Sequence, residues 1–161
     1  MFTGKLGKWL VVAMVVGAVF MCPVAVSVAD AQCYASEAFY HLDEMLLDFT
    51  WAYYYGLIGY PCDAADYVYY AYLEAYDAFI AAYYAYYTYY DSDSYYLFES
   101  AYYAWAYMST ASLYADDGCW YGDYTSFVYG AIYSIISMQY VWDAVWYAYW
   151  TGVYWEYYCY Y

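Results

Sequence analysis

The chain has 161 residues, with 17 Asp and Glu against 2 Lys and Arg, a formal net charge of −15, and 35 tyrosines. That length supports one domain with a core and scarcely two. So acidic a chain has nothing with which to neutralise phosphates, which excludes nucleic acid as a partner, and 31% aromatic residues exclude low-complexity disorder, whose segments are poor in rings.

The first thirty-one residues read as an address. Lys5 and Lys8 make a charged start, Trp9 to Val28 is an apolar run interrupted only by Gly17, Pro23 and Ser27, and Ala29-Asp30-Ala31 follows. Charge, apolar stretch and A-x-A site are the three parts of a secretory signal peptide, with cleavage expected after Ala31. An uncleaved anchor competes, because the run exceeds a minimal apolar stretch; Pro23 and the small residues before position 32 favour cleavage. A lipoprotein would need a small residue before Cys33, and Gln32 stands there. The expected organisation is therefore a signal peptide over 1–31 and a Tyr-rich domain over 32–161, placed outside the cell or in its envelope.

Removing 31 residues leaves 130, with every tyrosine, 16 acids and no Lys or Arg. Four cysteines remain, Cys33, Cys62, Cys119 and Cys159. An even number in an exported chain reads as two disulfides. No CxxC or Cys/His cluster points to zinc.

Three breaks divide the mature chain: Gly59-Tyr60-Pro61, Asp91-Ser92-Asp93-Ser94, and a longer stretch from Ala115 to Asp123. The Pro-free runs between them far exceed the usual strand of about five or six residues, so they predict helices, roughly over 35–57, 63–90, 94–115 and 124–158. Tyr and Trp alone would favour strands; the spacing of small residues overrides that. Along the first run Ala35, Ala38, Leu42, Met45, Phe49, Ala52 and Gly56 alternate in steps of three and four. Glu37, His41, Glu44 and Asp48 share another stripe of the same helix, which reads His41 as a solvated residue between Glu37 and Glu44. The second run repeats the alternation with Val68, Ala71, Ala75, Ala78, Ala82 and Ala85, and Asp63 and Asp66 look like its cap and first-turn acid. In the third, Leu97, Ala101, Ala104, Met108, Ala111 and Ala115 do the same. In the fourth, Phe127, Ala131, Ser134, Met138, Val141, Val145, Ala148 and Gly152 follow.

Four such stripes are what helices packing side by side require. The fold class predicted is all-α, an antiparallel up-down-up-down four-helix bundle stapled by two disulfides and preceded by a signal peptide. Short connections make consecutive helices antiparallel. The start of the first helix and the end of the fourth then share one end of the bundle, and the first and third connections share the other. A disulfide needs Cα atoms about 4.4 to 6.8 Å apart, so the pairs expected are Cys33–Cys159 and Cys62–Cys119. The fourth helix differs from the rest, with no charge between Asp123 and Asp143. A helix apolar all round is normally buried, which makes Tyr124, Phe127, Ile132, Ile136 and Trp142 candidates for contact with another copy.

Catalytic chemistry finds no foothold. A di-iron bundle needs two Glu-x-x-His motifs, and the single histidine sits in His41-Leu42-Asp43-Glu44, which runs the wrong way. Triads and cysteine nucleophiles lack a second His or a free thiol, and no Gly-rich phosphate loop exists. Asp91, Asp93, Asp116 and Asp117 read as loop and cap residues rather than Ca²⁺ ligands. No enzyme, cofactor or metal is expected. Runs such as Tyr53-Tyr54-Tyr55 and Tyr86-Tyr87 send one ring inward and leave its neighbour near the surface, a position suited to an apolar body with a polar tip. The function expected is a secreted structural or self-associating protein of a cell surface or matrix, open to oxidative Tyr–Tyr cross-linking, with a homo-oligomer or matrix components as partners. The alternative is a secreted binding module presenting Tyr and Trp faces to glycans or apolar ligands. Acids inside the helices, such as Glu44, Asp48, Glu74 and Asp77, argue against a membrane-embedded bundle.

Overall fold

The computed structural model describes residues 5–152, with side chains from Asp30 to Thr151. Four helices, α1 (Lys5–Leu57), α2 (Pro61–Thr88), α3 (Ser92–Tyr121) and α4 (Tyr124–Gly152), account for nearly all of it, and no strand occurs among the described residues. Each helix packs on the next and α4 returns to α1, while α1 and α3 barely meet. Ring contacts fix the directions. Tyr34 meets Tyr84 and Trp51 meets Tyr67, so α1 and α2 run antiparallel. Tyr86 meets Tyr95 and Phe79 meets Phe98 across α2 and α3, and Tyr96–Tyr147 with Tyr114–Tyr129 reverse α4 on α3.

The core is built from very small side chains. The stripes of α2 and α3 are wholly buried, and on α1 Ala35, Ala38, Leu42, Met45 and Ala52 are too. On α4, Ser134, Met138, Val141 and Ala148 are buried, but Ala131 of the expected stripe is exposed. The largest fully buried side chains are Leu42, Met45, Leu97, Met108 and Val141, with no ring among them. Ser137 is accommodated because its hydroxyl donates to the Ala104 carbonyl at 2.6 Å, which removes most of the cost of burying it.

Several local expectations are corrected. α3 continues through Asp116, Asp117 and Gly118 to Tyr121, so the third connection shrinks to Gly122-Asp123. The missing Cβ at Gly118 is the reason: one placed there would lie 3.0 Å from the Phe127 backbone nitrogen, so the end of α3 lies directly on the start of α4. Asp116 and Asp117 are consequently exposed helical residues rather than loop residues. α2 starts at Pro61, with Tyr60 as an N-cap that makes no side-chain bond and Asp63 in the first turn. Proline at the first helical position costs nothing, since that N–H is unpaired in any helix. Asp91 does cap α3, accepting from the Ser94 backbone N–H at 2.7 Å. α1 runs unbroken from Lys5 past Ala31, well upstream of the expected start near residue 35.

Between residues described with their side chains one disulfide closes, Cys62–Cys119, with Cα atoms 4.8 Å apart. It ties the start of α2 to the end of α3. Of the second expected pair, Cys33–Cys159, the residue Cys159 lies outside the described residues, as does the end of the predicted fourth helix beyond Gly152.

Candidate functional site

Three features stand out against the alanine core: an outward apolar stripe on α4, two cavities beside it, and continuous ladders of aromatic rings. With Ser134, Ser137, Val141, Ala144 and Ala148 turned inward, the helical period puts Ile132, Ile135, Trp142, Trp146 and Tyr149 on the opposite side. Trp142 and Trp146 are 64% and 60% exposed. Of the five residues expected to make a contact face, Tyr124, Ile132 and Trp142 are exposed, whereas Phe127 and Ile136 are half-buried. Phe127 is drawn in by the close approach at Gly118 and by Gly56 of α1, whose ideal Cβ would sit 3.6 Å from the Phe127 ring. Counting uncharged residues does not give the phase of the outward face, on which Ile135, Trp146, Tyr149 and Trp150 are also exposed. The buried serines carry the phase, and hydropathy alone does not identify a serine as buried.

Between α1 and α4, whose contact is looser than that of the other neighbours, lies an apolar cavity of about 260 Å³. Phe49, Tyr53, Val68, Phe127, Ala131 and Ile135 are among its lining. A second cavity, of about 370 Å³, lies between α3 and α4, and its walls are Tyr96, Tyr103, Tyr140 and Tyr147 with the carboxylates Glu99 and Asp143. Among the described residues no Lys or Arg stands against those carboxylates, the only two in the chain being Lys5 and Lys8. Burial, then the neighbouring phenols, then the charge of Asp143 hold the Tyr140 phenol above its usual value. Glu99 does the same to Tyr95, its charge being the largest cause there.

His41 is not the solvated residue expected. It reaches across to α2, where Nδ1 lies 2.7 Å from a Glu74 carboxylate oxygen, and its side chain is only 20% exposed. Asp48, one turn below Glu44 on the same helix, is raised above 3.8 by burial first and then by the charges of Glu74 and Glu44. No group of three or more metal-ligating side chains is assembled among the described residues. This acidic seam therefore reads as part of the α1–α2 interface.

The rings form zippers along the seams. On α3 and α4, Tyr103 meets Tyr140 at 5.1 Å, Tyr140 meets Tyr107 at 5.5 Å, and Tyr107 meets Tyr133 at 6.4 Å between centroids. Tyr133 then meets Tyr114 at 5.6 Å and Tyr114 meets Tyr129 at 5.5 Å. The three central pairs are stacked, with interplanar angles of 8°, 19° and 4°. Offset-stacked pairs of this kind contribute about 0.5 to 1.5 kcal/mol each beyond their buried area. On the other side of α3, Phe79 and Trp105 stack at 5.3 Å among Tyr76, Tyr102 and Phe98. The indole N–H of Trp105 is buried there without a hydrogen-bond partner.

No protein-family model, no curated protein and no solved structure matches this chain. Among the residues described with their side chains, no helix is long and apolar enough to cross a membrane.

Proposed function

We propose that this is an exported structural protein that assembles with further copies of itself at a cell surface or in a matrix, through the outward face of α4. The observation that carries the reading is the stripe Ile132, Ile135, Trp142 and Trp146, large apolar side chains left in water on a folded bundle. Contiguous exposed apolar surface of that kind marks an interaction site. Charge favours a second copy as the occupant. A mature chain of 16 acids and no Lys or Arg repels its own kind over most of its surface. Ile132, Ile135 and Trp142 of that stripe lie between Asp123 and Asp143, a stretch without charge, so two copies meet there with the least repulsion. Export rests on the charged start, the apolar run and the A-x-A site, and the Cys62–Cys119 bridge suits an oxidising compartment. N-terminal sequencing of the native protein, expected to begin at Gln32, tests that part.

Sedimentation over a concentration series, on the parent and on Ile132→Glu and Trp142→Glu chains, tests the assembly. Both positions are exposed, so the variants should keep the parent's helicity while shifting to monomer. A parent that stays monomeric at high concentration, or variants that assemble like the parent, would refute it. The apolar cavity between α1 and α4 favours a second reading, a binding module for a small apolar ligand. A monomeric parent that takes up an apolar dye in that cavity would select it.

A further inference from the structure

We propose that the ladder Tyr103–Tyr140–Tyr107–Tyr133–Tyr114–Tyr129 is a relay for one-electron oxidation, which carries an oxidising equivalent along the α3–α4 seam to Tyr103 and there forms a Tyr–Tyr bond. Its destination, a bond between copies, rests on the structural reading above; the relay itself does not. Three observations support it. The six rings follow one another at 5.1 to 6.4 Å between centroids, near enough for an electron to pass from each phenol to an oxidised neighbour. Neighbouring rungs are the same chemical group, so no rung is a deep trap. The four middle rungs are half-buried while Tyr103 and Tyr129 are exposed, so the seam shields the path and opens it at both ends.

Negative charge is placed at one end, where Tyr103 and Tyr140 share their cavity with Glu99 and Asp143. A phenol loses an electron more easily where negative charge stabilises the loss and a carboxylate can take its proton. Oxidation therefore runs downhill towards Tyr103.

The chemistry balances with an oxidant of the peroxide class acting through a haem peroxidase. Two phenols each give up one electron and one proton, and one hydrogen peroxide is reduced to two waters. At each hop an electron moves from an intact phenol to the phenoxyl beside it, and a proton follows to that oxygen. At the last hop the Tyr103 proton reaches the Tyr140 oxygen by way of the Glu99 or Asp143 carboxylate that shares their cavity, so that carboxylate ends unprotonated. Two phenoxyls then join through ring carbons ortho to oxygen, and the hydrogens on those carbons return to the oxygens as the rings regain aromaticity.

The test places the oxidant at the far end. A ruthenium polypyridyl photo-oxidant is attached at Thr125→Cys, one turn before Tyr129 and exposed, with a cobalt(III) ammine as terminal electron acceptor. From residue 125 to residue 140 is about 22 Å along α4 at 1.5 Å per residue, too far for direct oxidation of Tyr103 to compete. The dilute chain is illuminated with 2-methyl-2-nitrosopropane, which adds to tyrosyl radicals, and the adducts are mapped by peptide mass spectrometry. Adducts at both Tyr129 and Tyr103 are expected, with Tyr103 labelled at least as heavily. In a Tyr107→Phe/Tyr133→Phe chain, which keeps the stacked rings but not the oxidisable phenols, the Tyr103 yield should fall at least tenfold and the Tyr129 yield should rise. If the double variant does not keep the parent's helicity, Tyr107→Phe alone carries the comparison. An Asp143→Asn/Glu99→Gln chain should lose at least threefold at Tyr103. A parent labelled at Tyr129 but not at Tyr103, or Phe variants labelled at Tyr103 like the parent, overturns the relay; equal labelling after loss of both carboxylates overturns its direction. Because the chain is dilute, failure of self-association leaves each of these readings intact.

Discussion

The sharpest structural test lies in three glycines. Gly118 and Gly130 sit where α3 and α4 cross, and Gly56 faces Phe127 from α1. An added Cβ at Gly118 meets the Phe127 nitrogen, Cα and Cβ at 3.0, 3.1 and 3.1 Å. At Gly130 it meets the Ala115 nitrogen at 3.1 Å and the Ala111 carbonyl oxygen at 3.3 Å. At Gly56 it meets only the far end of the Phe127 ring, at 3.6 Å, an ordinary contact. Replacing glycine by alanine within a helix gains about 1 kcal/mol of propensity. Forcing a methyl against backbone in a packed seam costs roughly 1 to 3 kcal/mol. At Gly118 the cost sits high in that range, because a two-residue connection holds the start of α4 against the end of α3.

Gly118→Ala should therefore destabilise by about 1 to 2 kcal/mol net, Gly130→Ala by less, and Gly56→Ala should stabilise by about 0.5 kcal/mol. In a chain of this size each kcal/mol moves the melting midpoint by about 4 °C. Thermal and urea unfolding followed by helical circular dichroism measures all three. If the three alanines shift stability in the same direction by similar amounts, the close α3–α4 approach is wrong.

Two further outcomes check other parts of the structure. Asp48 is held above 3.8 in the fold, so the folded state binds its proton more tightly than the unfolded chain. Its protonated form stabilises fully below 3.8, and that contribution is lost as pH rises through the folded value; Asp48→Asn should then raise the melting midpoint at pH 7 and match the parent below pH 3.8. An Asn variant no more stable at pH 7 would place Asp48 away from Glu44 and Glu74. Cys62 and Cys119 lie 57 residues apart, and closing a loop of that size stabilises by about 4 kcal/mol on chain-entropy grounds. Replacing both with alanine should lower the urea midpoint accordingly with the helical content intact in the absence of urea, and a shift under 1 kcal/mol would mean that the reduced chain already holds these ends together.

Much of the architecture was legible because small residues repeat at helical spacing. Val68, Ala71, Ala75, Ala78, Ala82 and Ala85 announce a buried stripe, and every one of them is buried. The Cys62–Cys119 pair followed from the order of the helices, since an up-down bundle brings those two ends together. What misled was local chemistry read without its neighbours. Asp116-Asp117-Gly118 has the composition of a turn, yet there the glycine serves close packing and the helix runs on. His41 has acids on its own helix, but its partner Glu74 comes from α2, which no spacing within α1 encodes. The ring ladders were equally hidden, because Tyr107 and Tyr133 are paired only by the register of two helices.

The alanine core also explains where the rings stand. Helices packed through alanine approach towards the short end of the usual 8 to 10 Å, leaving no room for a ring between them. Tyrosines are pushed to the seams, where the ring is covered and the hydroxyl stays wet. Because adjacent residues on a helix point about 100° apart, a pair such as Tyr102-Tyr103 feeds two seams at once: Tyr102 packs against Phe79 and Trp105, and Tyr103 against Tyr140. A compositional bias for tyrosine would account for phenols over the whole surface. It does not account for Ile132, Ile135, Trp142 and Trp146, which turn outward on α4 with no hydroxyl to offer water and only an indole N–H on the two tryptophans. Side chains of that kind, beside the longest uncharged stretch that follows Ala31, are what the proposed contact face is built on.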